Sequence, residues 1–133
     1  MTDEYVQQWN PVCKVGDDWV RYVQVLDEDG VAVTDYTGWS FFMGIKESPD
    51  STAYLFQLAL AAGITVVDID GAKFIRLHLT RAQSGTVTVD KTPRPGGNFP
   101  EKKGVCDFVA QDADGLQVTA LEGPFTFRAR VTA

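Results

Sequence analysis

Three times along the chain, a run rich in β-branched and aromatic residues breaks at an acidic turn that ends in Asp-Gly. The turns are Asp27-Glu28-Asp29-Gly30, Asp68-Ile69-Asp70-Gly71 and Asp112-Ala113-Asp114-Gly115. Glycine adopts the positive φ of a tight hairpin without steric cost. Each turn therefore reads as a hairpin marker. They join Trp19 to Leu26 with Val31 to Val33, Ile64 to Val67 with Ala72 to Leu79, and Val105 to Ala110 with Leu116 to Glu122.

Between the turns, one alternating set of positions is apolar, the signature of a strand with one buried face. Trp39, Phe41, Met43 and Ile45 form one such set, with Phe42 left on the outer face. Ile75, Leu77 and Leu79 form a second, and Phe125, Phe127, Ala129 and Val131 a third. The expected core is Trp39, Phe41, Ile45, Ile75, Leu77, Leu79, Phe125, Phe127 and Val131. Ser51 to Gly63 fits two readings, a helix capped by Ser51 and ended by Gly63, or a strand in which Tyr54, Phe56, Leu58 and Leu60 alternate. Its strand-like neighbours favour the strand. The Pro/Gly-rich stretch at about 89–103, with Pro93, Pro95, Gly96, Gly97 and Pro100, lacks donors and is read as a long exposed loop. At 133 residues the chain is the size of one domain. The runs amount to about seven to nine short strands, the pattern of an all-β sandwich or small barrel.

A net charge of -6 and a pI near 4.6 argue against nucleic acid or an anionic membrane as partner, since both select clustered Lys and Arg. The acidic start, Met1-Thr2-Asp3-Glu4, lacks the basic and apolar run of a secretory signal, so the chain is expected to be made and kept in the cytoplasm. Cys13 and Cys106 have neither metal-site nor redox-pair spacing and read as buried free thiols, unless their strands are neighbours that allow a disulfide. The single histidine, His78, faces away from Ile75, Leu77 and Leu79, and no nucleophile motif surrounds it. The acidic turns lack the third acidic position and the distal Glu of a calcium loop. No catalytic, cofactor-binding or metal-ligating residue is therefore assigned. Trp19 and Trp39 read as core. Trp9, beside Asn10-Pro11, is the better candidate for an interface, together with Arg94 and Phe99 of the Pro/Gly-rich stretch.

The order of short motifs carries a resemblance. Gly16-Asp17-Asp18-Trp19 opens a strand that ends at Asp27-Glu28-Asp29-Gly30, and Asp35-Tyr36-Thr37-Gly38 leads to a strand closing on Gly44-Ile45-Lys46. Leu77-His78-Leu79-Thr80-Arg81-Ala82-Gln83 follows, then Gly104-Val105-Cys106-Asp107-Phe108, Asp114-Gly115 and Leu121-Glu122-Gly123. This succession, from Gly16 to Thr132, resembles small structural proteins of tailed phages and prophages, including the amino-terminal domain of baseplate upper proteins. Tyr36 and Lys46 depart from the pattern, which prefers Leu and Arg there. The resemblance implies an immunoglobulin-like antiparallel β-sandwich that belongs to a virion, tail- or baseplate-associated, assembled in the cytoplasm of the bacterial host. Its implied partners are other phage structural proteins or further copies of itself, and it implies no active site. A carbohydrate-binding or adhesion module is the alternative, favoured if exposed aromatics line one sheet face.

Overall fold

The computed structural model describes residues 7–89 and 100–129. Nine strands and one helical turn follow in the order β1 (Gln7–Gln8), β2 (Val12–Lys14), β3 (Trp19–Val23), β4 (Ser40–Lys46), β5 (Phe56–Leu60), β6 (Gly63–Ile69), β7 (Ala72–Leu79), α1 (Arg81–Ser84), β8 (Glu101–Gln111) and β9 (Gln117–Arg128). The fold is all-β, as the alternation implies.

The strands form one hydrogen-bonded path, β1-β9-β8-β4-β5-β6-β7-β3, with β2 also paired to β9. The sheet coils until it nearly closes into a barrel. Across the seam, the Trp19 ring of β3 lies 5.1 Å from Phe125 of β9 and 5.7 Å from Trp9. Alternation reports which side chains point inward. It does not report whether the face opposite belongs to a second sheet or to the same sheet coiled round, which is why a sandwich and a barrel read alike.

The inward set is nearly the expected one. Phe41, Ile45, Ile75, Leu77, Leu79, Phe125 and Phe127 are buried, and Met43, Leu58, Ile64 and Phe108 complete the centre. Trp39 departs from expectation. It precedes β4 at the barrel rim, half-buried between Tyr36 and Phe41. Val131 lies outside the described residues.

Two of the acidic turns are built identically. In the first, Asp27 Oδ1 accepts from the amides of Asp29 (2.9 Å) and Val31 (3.0 Å), while Gly30 N donates to Asp27 O. In the second, Asp112 Oδ1 accepts from Asp114 (2.9 Å) and Leu116 (2.9 Å), and Gly115 N donates to Asp112 O. The first carboxylate of each turn thus organises its own backbone. The third turn is a two-residue hairpin, with Asp70 at φ 52 and Gly71 at φ 85, both positive as the primed hairpin turn requires. Strand directions place all three turns at one end of the barrel. The first, however, closes only a single bridge, Leu26 to Ala32, and β3 already ends at Val23.

Ser51 to Gly63 does contain a strand, β5, but Leu60 is exposed and only Leu58 is fully buried. The link Ala61-Ala62 pairs β5 and β6 in parallel, Ala59 with Gly63 and Leu60 with Ile64, so it is a corner and not a hairpin reversal. Positive φ at Ala61 and Gly63 makes that corner.

The exposed loop expected at about 89–103 requires correction at both ends. Val89 is buried, and Glu101 to Lys103 already belong to β8, paired with Arg128, Phe127 and Thr126 of β9. Charged residues 101–103 hid a strand whose outer face is solvated. Residues 90–99 lie outside the described part. The two expected final strands are one, because β9 runs on through Gly123-Pro124. Pro124 lacks a ladder donor, and it falls opposite the break between β1 and β2, where none is needed.

Candidate functional site

Cys13 and Cys106 are both free and buried. Burial pushes the Cys13 thiol up to about 11 and that of Cys106 to about 12, so neither is a thiolate near neutrality. They sit on strands separated by β9, which answers the disulfide alternative.

His78 lies on the outer face of β7, half-buried, and its Nε2 donates to Asp18 Oδ1 (2.9 Å). The same carboxylate oxygen accepts the amide of Arg81 at 3.0 Å. The His78 bond, then the Arg81 amide, hold the Asp18 carboxyl below its ordinary value. This cluster joins the β2–β3 turn to the start of α1.

Ser84, the last residue of α1, is fully buried. Its hydroxyl donates to Asp17 O (2.7 Å) and accepts from Gly16 N (3.0 Å). No described base contacts that hydroxyl. It is a latch across the bottom of the seam. The sequence carries the signal for α1, since Thr80-Arg81-Ala82-Gln83 forms a complete capping box. The box lies outside the period-two pattern by which the strands are read.

A concavity lies elsewhere, on the outer face of β4, β8 and β9. It is an open groove of about 500 Å³ lined by Gly44, Lys46, Tyr54, Asp107, Glu122 and Pro124, among others. Register explains its composition. Gly44 is opposite Asp107, and Asp107 is opposite Glu122, so two carboxylates face each other across neighbouring strands with a glycine beside them. Like charges directly opposite are unfavourable. Among the described residues, neither carboxylate takes part in a hydrogen bond or ion pair.

Tyr54 and Lys46 form the groove's other wall. A Cβ on Gly44 would lie 2.5 Å from the Tyr54 ring, so glycine is what lets that ring lie against the sheet. The Lys46 ammonium is 4.7 Å from the ring centroid, a cation–π contact. Phe42, outward as expected, meets Tyr54 edge-on at 5.6 Å.

Of the residues suggested for an interface, Trp9 is half-buried against the core, its ring on Trp19. Its carbonyl occupies the place where a Cβ of residue 123 would stand, which is why Gly123 is glycine. Arg94 and Phe99 lie outside the described residues. Asp107 and Glu122 escaped sequence reasoning because they are 15 positions apart and meet only through the β8–β9 register. Among the described residues, no group of three or more His, Cys, Asp or Glu could hold a metal ion. No protein-family model matches the chain, and no curated protein matches it significantly in sequence.

Proposed function

We propose that this chain is a structural protein of a tailed phage or prophage virion, tail- or baseplate-associated, that acts through protein–protein contacts. The order of motifs from Gly16 to Thr132 suggests that family. The observation that carries the choice of a docking role is the division of labour between the two faces of the sheet. Inside, Phe41, Phe108, Phe125 and Phe127 pack ring against ring and make a rigid body. Outside, the three adjacent strands β4, β8 and β9 present an open groove in which the carboxylates of Asp107 and Glu122 have no ion pair among the described residues. Such a body works by presenting fixed surfaces to neighbours, often in symmetric arrays.

A sugar-binding role finds less support. Sugar stacking uses a free aromatic face, and the face of Tyr54 in the groove is held by Lys46. Mass spectrometry of tailed particles, purified after induction of the source strain, tests the proposal. Presence of the chain at fixed stoichiometry with tail proteins is the expected result. Its absence from particles that form normally refutes membership of the virion.

A further inference from the structure

We propose that the open edge of β6, from Thr65 to Ile69, pairs antiparallel with the same edge of a second copy of this chain, related by a two-fold axis at Val67. The proposal concerns the isolated chain and does not rest on the virion reading.

The edge is open because β5 leaves it. β5 pairs with β6 only at Gly63 and Ile64, whereas β6 runs on against β7 as far as Ile69. The turn decides which groups are free. In a two-residue hairpin the residues flanking the loop exchange hydrogen bonds, here Ile69 with Ala72, and every second pair below them does the same. Thr65, Val67 and Ile69 therefore give their amides and carbonyls to β7, while those of Val66 and Asp68 point outward. Among the described residues, nothing meets these two amides and two carbonyls. The Ile64 carbonyl, next in the same row, already accepts the Ala61 amide at 2.9 Å. Sheet edges are ordinarily guarded by a basic residue, a proline or a bulge. The edge of β3 is guarded in this way, since Arg21 Nη1 donates to Val20 O at 2.8 Å. The edge of β6 has no such guard. Val66 and Ile69 are exposed there, and the one charged side chain, Asp68, is paired with Lys73 at 2.9 Å.

The edge sets conditions on its occupant. Unmet donors and acceptors two residues apart call for an extended strand. Val67 and Ile69 favour β-branched side chains opposite them, and Asp68 excludes an acid opposite itself. β6 satisfies each condition itself. With the two-fold axis at Val67, Val66 lies opposite Asp68 of the second copy and Asp68 opposite its Val66, so that all the free amides and carbonyls are paired. Ile69 then faces Thr65, and Val67 faces Val67. Of the two-fold registers that engage both Val66 and Asp68, the others fail. An axis at Asp68 sets two carboxylates face to face. An axis at Val66 brings Asp68 against Ile64, whose carbonyl is taken. An axis between residues opposes free groups to groups already bonded to β7.

The test is sedimentation velocity of the full chain from about 1 μM to about 1 mM in about 0.15 M salt, which screens the charge of -6 that each copy carries. A dimer that grows with concentration is expected. Val67→Lys and Val67→Glu each set like charges against each other at the two-fold axis, so either variant alone should dimerise about tenfold more weakly. An equimolar mixture of the two should recover to within about threefold of the wild type, because only there does Lys meet Glu. Both variants must keep the wild-type circular dichroism. Val66→Pro is a second probe, since it deletes one outward amide and no bond to β7, and it should weaken the dimer as well. A chain that stays monomeric at every concentration overturns the proposal. So does a dimer that Val66→Pro or the single Val67 variants leave unchanged, which places the contact on another surface. A mixture as weak as its components overturns it too, since the two Val67 positions then do not face each other.

Discussion

Replacing Ser84 by Ala isolates the latch that closes the barrel. The hydroxyl is fully buried, donates to Asp17 O at 2.7 Å and accepts from Gly16 N at 3.0 Å. Alanine removes both bonds and leaves a backbone donor and a backbone acceptor behind. Each neutral hydrogen bond contributes about 1 kcal/mol net, and an orphaned buried group costs about 1–3 kcal/mol. Gly16 and Asp17 are half-buried, so water recovers part of that penalty. The expected loss is about 2–3 kcal/mol. Alanine is the better helix former by up to about 0.5 kcal/mol, so propensity acts in the opposite direction and cannot produce the loss. Urea denaturation followed by tryptophan fluorescence measures it, with an unchanged m-value marking a change of stability alone. Thr86→Ala is the control. Its hydroxyl bonds Gln83 O at 2.7 Å but is exposed, and its loss should stay below about 1 kcal/mol. A Ser84→Ala loss no larger than that of the control would refute the latch.

Phe127→Ala should cost about 3–5 kcal/mol, since the ring is fully buried and lies 4.9 Å from Phe125 and 5.9 Å from Phe56; a loss under about 1 kcal/mol in urea denaturation would contradict that packing. Asp107→Asn should leave stability unchanged or raise it by about 0.2–1 kcal/mol, because it relieves a like-charge cross-strand pair, and a clear loss would mean that the carboxylate is holding the fold together. Both thiols have folded values above their ordinary 9.0, so their contribution to stability is complete below pH 9 and is lost as pH rises through about 11 to 12. Urea midpoints should therefore fall more steeply above pH 9 for the wild type than for Cys13→Ala, Cys106→Ala, and parallel curves would refute the assignment. Excising residues 93–99 should leave the fold intact by circular dichroism, but the cut must spare Pro100, whose carbonyl accepts the amide of Ala129 at 2.9 Å.

What the sequence disclosed, and what it withheld, divides along the range of the interactions. Signals that live within a few residues were legible. The Asp-Gly turns named the β6–β7 and β8–β9 hairpin tips and a further turn that closes a single bridge, and period-two alternation named most of the interior, because one turn or one strand contains everything those patterns depend on. Trp39 misled for the same reason. Its alternation with Phe41 is real, but β4 begins only at Ser40, and beyond a strand's end the alternating position no longer points inward. The charged start of β8 misled in the other direction, since Glu101, Lys102 and Lys103 lack the apolar alternation by which the other strands were read.

The seam and the groove depend on pairings that no local pattern encodes. Ser84 reaches Gly16 and Asp17 from more than 60 positions away, and Trp19 meets Phe125 only because the sheet has coiled through six intervening strand pairings. The groove needs three registers to hold at once: β4 on β8, β8 on β9, and the Tyr54 segment folded back over Gly44. A slip of one residue in the β8–β9 pairing would turn one carboxylate to the opposite face and abolish the pair. That sensitivity is itself informative. The pairing shifts register between Phe108 and Val109, immediately beyond Asp107, and the bulge divides the groove rows from the hairpin rows. Removing the irregularity by deleting one residue there should re-register the strand on one side of it. If the hairpin end at Asp112-Gly115 yields, Asp107 and Glu122 stay opposed and Asp107→Asn still relieves the like-charge pair. If the groove end yields, Asp107→Asn no longer relieves a like-charge pair while the barrel still forms, and the dependence of that pair on register is established directly.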